Sequence, residues 1–321
     1  MLLSVQNLST HFFLDEGVLR AVDDVSFEIA ENETVALVGE SGCGKTIVAL
    51  SIIKLVPPPG RIVQGRILFA GEDVLQAPIK RVREIRGKGI GFVFQEPSAA
   101  LNPVYTIGYQ LSEVLQLHRR LSRHEADLEA VRLLAETGIP EPERRAKAYP
   151  FELSGGMSQR AVIALAISGR PKLLIADEPT TALDVTVQAE ILDLLRHLQE
   201  RYKMAILLIT HDLGVVAEMA RRVLIMYPGK LVETARTDAL FQLPRHPYTQ
   251  GLLSAVLRLG TGRSEPLRGI PGTVPDFLNL PSGCTFHPRC PIGDNSCTTE
   301  FPPLREISID RMCACYKVGE D

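Results

Sequence analysis

Short runs of apolar and β-branched residues open the chain at 2–8, 25–29 and 34–38, each bounded by polar turns, and this pattern predicts strands. Residues 44–54 change to helical spacing, and the Pro57-Pro58-Pro59-Gly60 run stops that helix. Further strands are predicted at 66–69 and 90–94. From 107 to 137 Leu, Val and Ile recur at helical intervals among many charges, which predicts a mainly helical insertion. It reaches about Arg170, and Gly155-Gly156 marks the start of its last helix. Beyond Pro171 the near-continuous apolar runs 173–176 and 205–209 read as parallel strands covered on both faces, with a helix over about 184–202 between them. Short strands follow at 222–226 and 230–234. The pattern is an α/β fold: a parallel sheet core with an antiparallel β edge and an inserted helical subdomain. After about residue 250 the periodicity fades into Pro, Gly and Cys, and 264–321 reads as a small module too thin-cored to stand without a staple. The expected division is 1–95 with 171–250 as the core, 96–170 as the helical subdomain and 251–321 as a C-terminal extension.

Composition narrows the possibilities. The 321 residues are 45% hydrophobic and 23% charged, which excludes wholesale disorder. A net charge of −3 gives no global attraction to nucleic acid or to an anionic bilayer. The longest apolar runs, such as 162–167, fall far short of the ~18–20 residues a membrane span needs. No basic segment followed by a long apolar stretch opens the chain, so secretion is not expected. Six cysteines in that setting point to a reducing compartment, and to metal ligation or free thiols before disulfides. Five of the six lie after residue 283.

The chemistry concentrates at four strand ends. Gly39-Glu40-Ser41-Gly42-Cys43-Gly44-Lys45-Thr46 fits G-x-x-x-x-G-K-[ST] between a predicted strand and a predicted helix. Backbone N–H groups of such a loop and of the helix N-terminus converge on an anion; the lysine reaches the β- and γ-phosphates and the hydroxyl ligates Mg²⁺. The apolar run 173–176 ends in Asp177-Glu178, a charge pair that is costly at a buried strand end unless it meets a cation or a reacting group. Asp177 suits the Mg²⁺ shell, and Glu178 suits acceptance of a proton from a water attacking the γ-phosphate. His211 follows the next buried strand and so emerges on the same sheet edge, where it can orient that water. Gln95 ends the strand 90–94 and suits a Mg²⁺ or water contact. Ser154-Gly155-Gly156 opens the helix running to Ser168 and leaves its first N–H groups free for a second anion site. One nucleotide reaches both anion sites most simply in a head-to-tail pair of chains.

The ordered set resembles the ATP-binding-cassette (ABC) ATPases of the P-loop NTPase class: GESGCGKT at 39–46, Gln95, LSGGM at 153–157, LLIADE at 173–178, Ala182-Leu183-Asp184 and His211. The resemblance covers roughly 1–250. It implies that residues 39–46 bind ATP, that Thr46, Gln95 and Asp177 serve Mg²⁺, and that Glu178 is the catalytic base assisted by His211 and Gln95. It implies that Ser154, Gly155 and Gly156 contact a partner's ATP with Asp184 at the seam, that Phe12 stacks on adenine, and that Val22 meets the ribose. A finer resemblance is to the peptide/nickel importer subfamily, in its dipeptide and oligopeptide "D" type: Phe94–Pro103 matches its extended glutamine loop, and Arg245-His-Pro-Tyr-Thr249 and Gly283–Pro291 match its C-terminal extension. This implies an ATPase on the cytoplasmic side of the cell membrane, with a second cassette subunit, two integral-membrane permeases and a solute-binding protein as partners and no nucleic acid. Peptide, nickel and other small solutes stay open as cargo. Ser158 stands where Arg is usual, Pro228 where Ala or Gly is usual, and Cys43 where Ser is commoner; a thiol at a helix N-terminus is expected to have a depressed pKa and to be alkylatable.

The cysteine tail reads C-x5-C-x6-C-x17-C at Cys284, Cys290, Cys297 and Cys315, with Cys313 able to replace Cys315. Four soft sulfurs in a thin-cored module suggest a metal staple, and iron–sulfur, zinc and unligated thiols are all open on spacing alone. The subfamily resemblance implies a [4Fe–4S] cluster. Two other classes compete for the whole chain. A DNA-repair or translation ATPase of this family needs a long coiled coil, zinc modules or two cassettes, whereas only about 110 residues separate Lys45 from Ser154; a redox protein would rest on the tail alone.

Overall fold

The computed structural model describes residues 1–255 and 269–319. The described chain forms two compact units. One comprises 1–3, 29–34 and 68–209; the other comprises 4–28, 35–67 and the chain from 210 onward. The part of the expected extension at 256–268 lies outside the described residues.

The first unit is built on parallel strands Ile90–Val93, Leu173–Asp177 and Ala205–Thr210, with Val93 opposite Ala176 and Ala176 opposite Leu208. Every residue of the last two strands is buried, which is why they read as unbroken apolar runs rather than alternating ones. Helices Ile107–Arg119, Arg123–Glu136, Gly155–Ser168 and Val185–Tyr202 accompany them. The mainly helical stretch 107–137 consists of two helices. Arg120 takes a left-handed conformation (φ 56°) and ends the first; Ser122 and Glu125 then form a reciprocal capping box that starts the second. Sequence periodicity missed the helix Ile79–Lys88, whose only buried residues are Val82 and Ile85, and which is interrupted at Arg86 and Gly87. Three apolar positions in ten, Ile79, Val82 and Ile85, amid six charged residues and a glycine are too few to print a stripe.

In the second unit the strand Thr34–Val38 runs parallel to Arg222–Tyr227, and the latter pairs antiparallel with Lys230–Arg236. Between these two, Pro228 and Gly229 (φ 76°) make the turn; proline at the second position and a positive-φ glycine at the third are the residues a type II turn asks for. That accounts for Pro228. The sheet continues into the tail, since Arg311–Cys313 pairs antiparallel with Lys230–Arg236 and with Arg305–Ser308. Glu233, fully buried on Lys230–Arg236, accepts hydrogen bonds from Arg311 Nη2 (3.0 Å) and from the N–H groups of Arg245 (2.9 Å) and His246 (2.8 Å). The tail also shares its core: Cys284, Phe286 and Cys297 pack in one apolar cluster with Val38, Ile225, Tyr227 and Tyr248.

Candidate nucleotide site

The phosphate loop hangs between a strand buried at every residue, Thr34–Val38, and the helix Lys45–Ile52. Gly44 caps that helix at φ 107°, and a Cβ there would collide with the Ala21 carbonyl oxygen. Gly39 is closed in the same way by the Met226 carbonyl, whereas a Cβ on Gly42 would meet nothing within 4 Å. The loop is thus packed against protein at its two ends and open in the middle, which suits a phosphate-sized anion lying on its N–H groups. Lys45 spans the loop, its Nζ donating to the carbonyl oxygens of Gly39 (2.8 Å) and Glu40 (3.0 Å). Thr46, in the first helical turn, is exposed, as is Ser41. Glu40 is held from the C-terminal region: Arg289 Nη1 and Nη2 donate to its two carboxylate oxygens (2.8 and 3.2 Å), and its N–H donates to the Tyr248 hydroxyl (2.9 Å).

Cys43 corrects one expectation. Its side chain is fully buried, and burial pushes the thiol up rather than down, against the pull of Lys45. It is a packed, protonated thiol, not an alkylatable one. Phe12 is half-buried, its ring against Gly60, while Val22 is fully buried.

The first unit carries Gln95, Asp177, Glu178, the Ser154 helix terminus and Asp184, while His211 belongs to the second. Asp177 ends its strand 2% exposed. Glu178 follows with φ 48° and its N–H on the Ile209 carbonyl (2.8 Å), so the chain turns sharply off the sheet edge. Its Oε2 accepts from Gln95 Nε2 (3.0 Å) and from Thr181 Oγ1 (2.8 Å). The structure therefore brings Gln95 and Glu178 together, and it adds Thr181, which the sequence reading did not single out. Gly155–Ser168 starts as expected: the Ser154 hydroxyl accepts from the Met157 N–H (3.3 Å), and Ser154 and Gly155 are exposed. Gly156 lies over Val187, in the helix that Asp184 caps through the Val187 N–H (3.0 Å). Near the Ser158 departure, Arg160 supplies a cation, bonding the Thr137 carbonyl (2.8 Å) and Glu190 (2.7 Å). His211, at the end of Ala205–Thr210, is exposed, and Asp212 beside it caps the next helix through the N–H groups of Gly214 and Val215.

The cysteine tail gives the second correction. Among the described residues no group of three or more His, Cys, Asp or Glu side chains is disposed to hold a metal ion, and this overturns the [4Fe–4S] cluster expected at Cys284, Cys290, Cys297 and Cys315. All four are free thiols. The environment explains why. Cys284 and Cys297 sit in the aromatic core beside Phe286, and Cys315 packs with Ile307, Cys313 and Val318. Burial lifts Cys284 to about 11 and also raises Cys290 and Cys315. Phe286, Tyr227 and Tyr248, with ring centroids 4.6–5.4 Å apart, supply the core that the sequence reading judged too thin.

A glycine-built phosphate loop opening a helix on a parallel strand, in an α/β fold with an inserted set of helices, defines a P-loop nucleotide-binding cassette. Comparison with known proteins places it further. The ABC transporter family profile matches residues 22–181, and that of the oligopeptide/dipeptide transporter C-terminal region matches 232–297. The chain is 44% identical over 320 residues to the dipeptide transport ATP-binding protein DppD of Escherichia coli (strain K12), covering 100% of this chain and 98% of that one. It is 48% identical over 321 residues to the oligopeptide transport ATP-binding protein AppD of Bacillus subtilis (strain 168), with 100% and 98% covered. Among solved structures, the dimeric bacterial ABC transporter cassette MJ0796 superposes with a TM-score of 0.66 at 28% identity, covering 73% of this chain and 98% of that one. The same cassette in a post-hydrolysis state bound to ADP and Pi gives 0.66 at 27% identity, with the same shares covered. The chain belongs to the ABC transporter ATP-binding proteins, in the branch that carries the oligopeptide/dipeptide transporter C-terminal region.

Proposed function

We propose that this chain is the ATP-hydrolysing subunit of an importer for di- and oligopeptides, working on the cytoplasmic face of the membrane. The observation that carries the reading is the Gly39–Thr46 loop, closed at Gly39 and Gly44 and open at Gly42, in a chain related over its full length to peptide-import ATPases. No helix of the described residues is long and apolar enough to cross a membrane. Two integral-membrane permeases, a second cassette subunit of related sequence and, indirectly, a solute-binding protein complete the assembly. Cargo does not touch this subunit.

The residues divide the work. Loop N–H groups within 41–44 and the Lys45 ammonium grip the phosphates, and Phe12 offers a ring to the base. Thr46, Gln95 and Asp177 each carry a hard oxygen donor of the kind Mg²⁺ takes, and these are the residues that would hold it. When bound, Mg²⁺ supplies charge neutralisation of the phosphates. Glu178 takes the proton of the attacking water, with Gln95 and Thr181 fixing its carboxylate and His211 orienting the water. Ser154, Gly155 and Gly156 present their exposed helix terminus to the nucleotide of the partner subunit, with Asp184 at the seam. Loss of the γ-phosphate removes an anion shared by two helix termini and releases the pair.

Affinity-tagged chain expressed in its native membrane tests this reading. Stoichiometric recovery of two integral membrane proteins and a second cassette subunit is expected. Recovery of bound nucleic acid, or of no membrane protein, contradicts it.

A further inference from the structure

We propose that Arg289 and Tyr248 are positioning residues for the phosphate loop: the C-terminal region sets nucleotide affinity by holding Glu40 and occupying its carboxylate charge. The inference rests on the reading that 39–46 binds ATP. It starts from an awkward residue. Glu40 is the second position of a loop whose task is to collect several negative charges, and a carboxylate there opposes them unless a cation is fixed beside it.

Arg289 is that cation, 249 positions away in sequence. Its two terminal nitrogens take both carboxylate oxygens in the forked geometry only arginine provides. The side chains are 5% and 28% exposed, so salt screens the pair weakly. The guanidinium is itself fixed: Nε donates to the Pro271 carbonyl (2.8 Å) and Nη1 to the Tyr227 hydroxyl (3.2 Å). A second tether fixes the backbone of the same residue, because the Glu40 N–H is held by Tyr248. Tyr248 is fully buried in the helix Pro247–Ser254, and its ring lies 4.6 Å from that of Tyr227 and 5.4 Å from that of Phe286. Thus a side-chain fork and a backbone bond, both rooted in one aromatic cluster, converge on a single loop residue. The 245–249 and 283–291 motifs, which the nucleotide chemistry leaves unused, supply both.

The test compares purified Arg289→Gln, Arg289→Lys, Tyr248→Phe, Glu40→Gln and the double variant Arg289→Gln/Glu40→Gln. Binding of a fluorescent ATP analogue gives Kd, and steady-state hydrolysis separates KM from kcat. Arg289→Gln is expected to raise Kd and KM about tenfold while kcat stays within about twofold. Arg289→Lys keeps the charge but loses the fork, and falls between. The double variant is expected to recover most of the lost affinity, because the harm comes from the uncovered carboxylate; a merely structural arginine predicts no recovery. Wild-type affinity in Arg289→Gln, or a double variant no better than Arg289→Gln, overturns the proposal. Should Arg289→Gln be insoluble, Arg289→Lys and Tyr248→Phe decide, and unchanged Kd in both overturns it. Wild-type chain whose analogue binding is indifferent to Lys45→Ala instead brings down the underlying nucleotide reading.

Discussion

Replacing Glu178 by glutamine isolates proton transfer from everything else its site does. The carboxylate accepts two hydrogen bonds on one oxygen, from Gln95 at 3.0 Å and Thr181 at 2.8 Å. The amide oxygen of glutamine can keep both, at equal size, and the backbone turn at φ 48° with its N–H on Ile209 is untouched. Only the ability to take a proton is lost. A positioned general base contributes about 10²–10⁴-fold, which at about 1.4 kcal/mol per decade is ~3–5 kcal/mol of barrier. Phosphate release by Glu178→Gln should therefore fall at least about a hundredfold. Analogue binding should stay near wild type, and sedimentation should show an ATP-dependent pair that persists. Turnover within about threefold of wild type, with intact ATP binding, would remove Glu178 from its role and with it the reasoning from the strand end.

Two further substitutions probe the second unit. Gly44→Ala places a Cβ against the Ala21 carbonyl at φ 107°, so the loop must distort; analogue affinity should drop at least about tenfold, and an unchanged Kd would refute the cradle. His246 is buried, accepts from the Tyr248 N–H (3.1 Å), and is pushed by burial from 6.5 down to about 3. Between those values the unfolded chain binds a proton that the folded chain refuses, so stability is full above about pH 6.5 and falls as pH drops, by about 1.4 kcal/mol per unit. Denaturant unfolding at pH 7 and pH 5 should show a loss of about 2 kcal/mol in wild type that His246→Gln lacks; equal slopes would contradict the assignment.

How much of this was legible in the sequence follows from where the information sits. The loop 39–46, the strand ending at Asp177 and the capped helix at Ser154 are local: a few adjacent residues fix backbone, burial and chemistry together, and they stand where the pattern placed them. The division of the helical stretch at Arg120 was also local, its signal a capping box, Ser122 with Glu125, rather than a loss of apolar spacing. Ile79–Lys88 escaped because its burial is two residues wide. The tail misled for a different reason. Cysteine spacing suggested a metal staple, yet Cys284 and Cys297 lie in an apolar cluster whose other half, Val38, Ile225 and Tyr227, comes from sequence far away. Cys43 misled likewise, since a helix N-terminus argues for a low pKa and burial, invisible in the motif, outweighs it. The Glu40–Arg289 pair could not be read from sequence at all: both motifs were visible, but nothing in either says they meet.

The account stands on one nucleotide being held by two chains. A structure of Glu178→Gln with Mg²⁺ and ATP, in its working pair, measures this directly. The triphosphate is predicted to lie on N–H groups within 41–44 and on Lys45 of one protomer and against Ser154 of the partner subunit. Density in which a single protomer encloses the whole nucleotide, with Ser154 of the partner subunit remote from any phosphate, would contradict it.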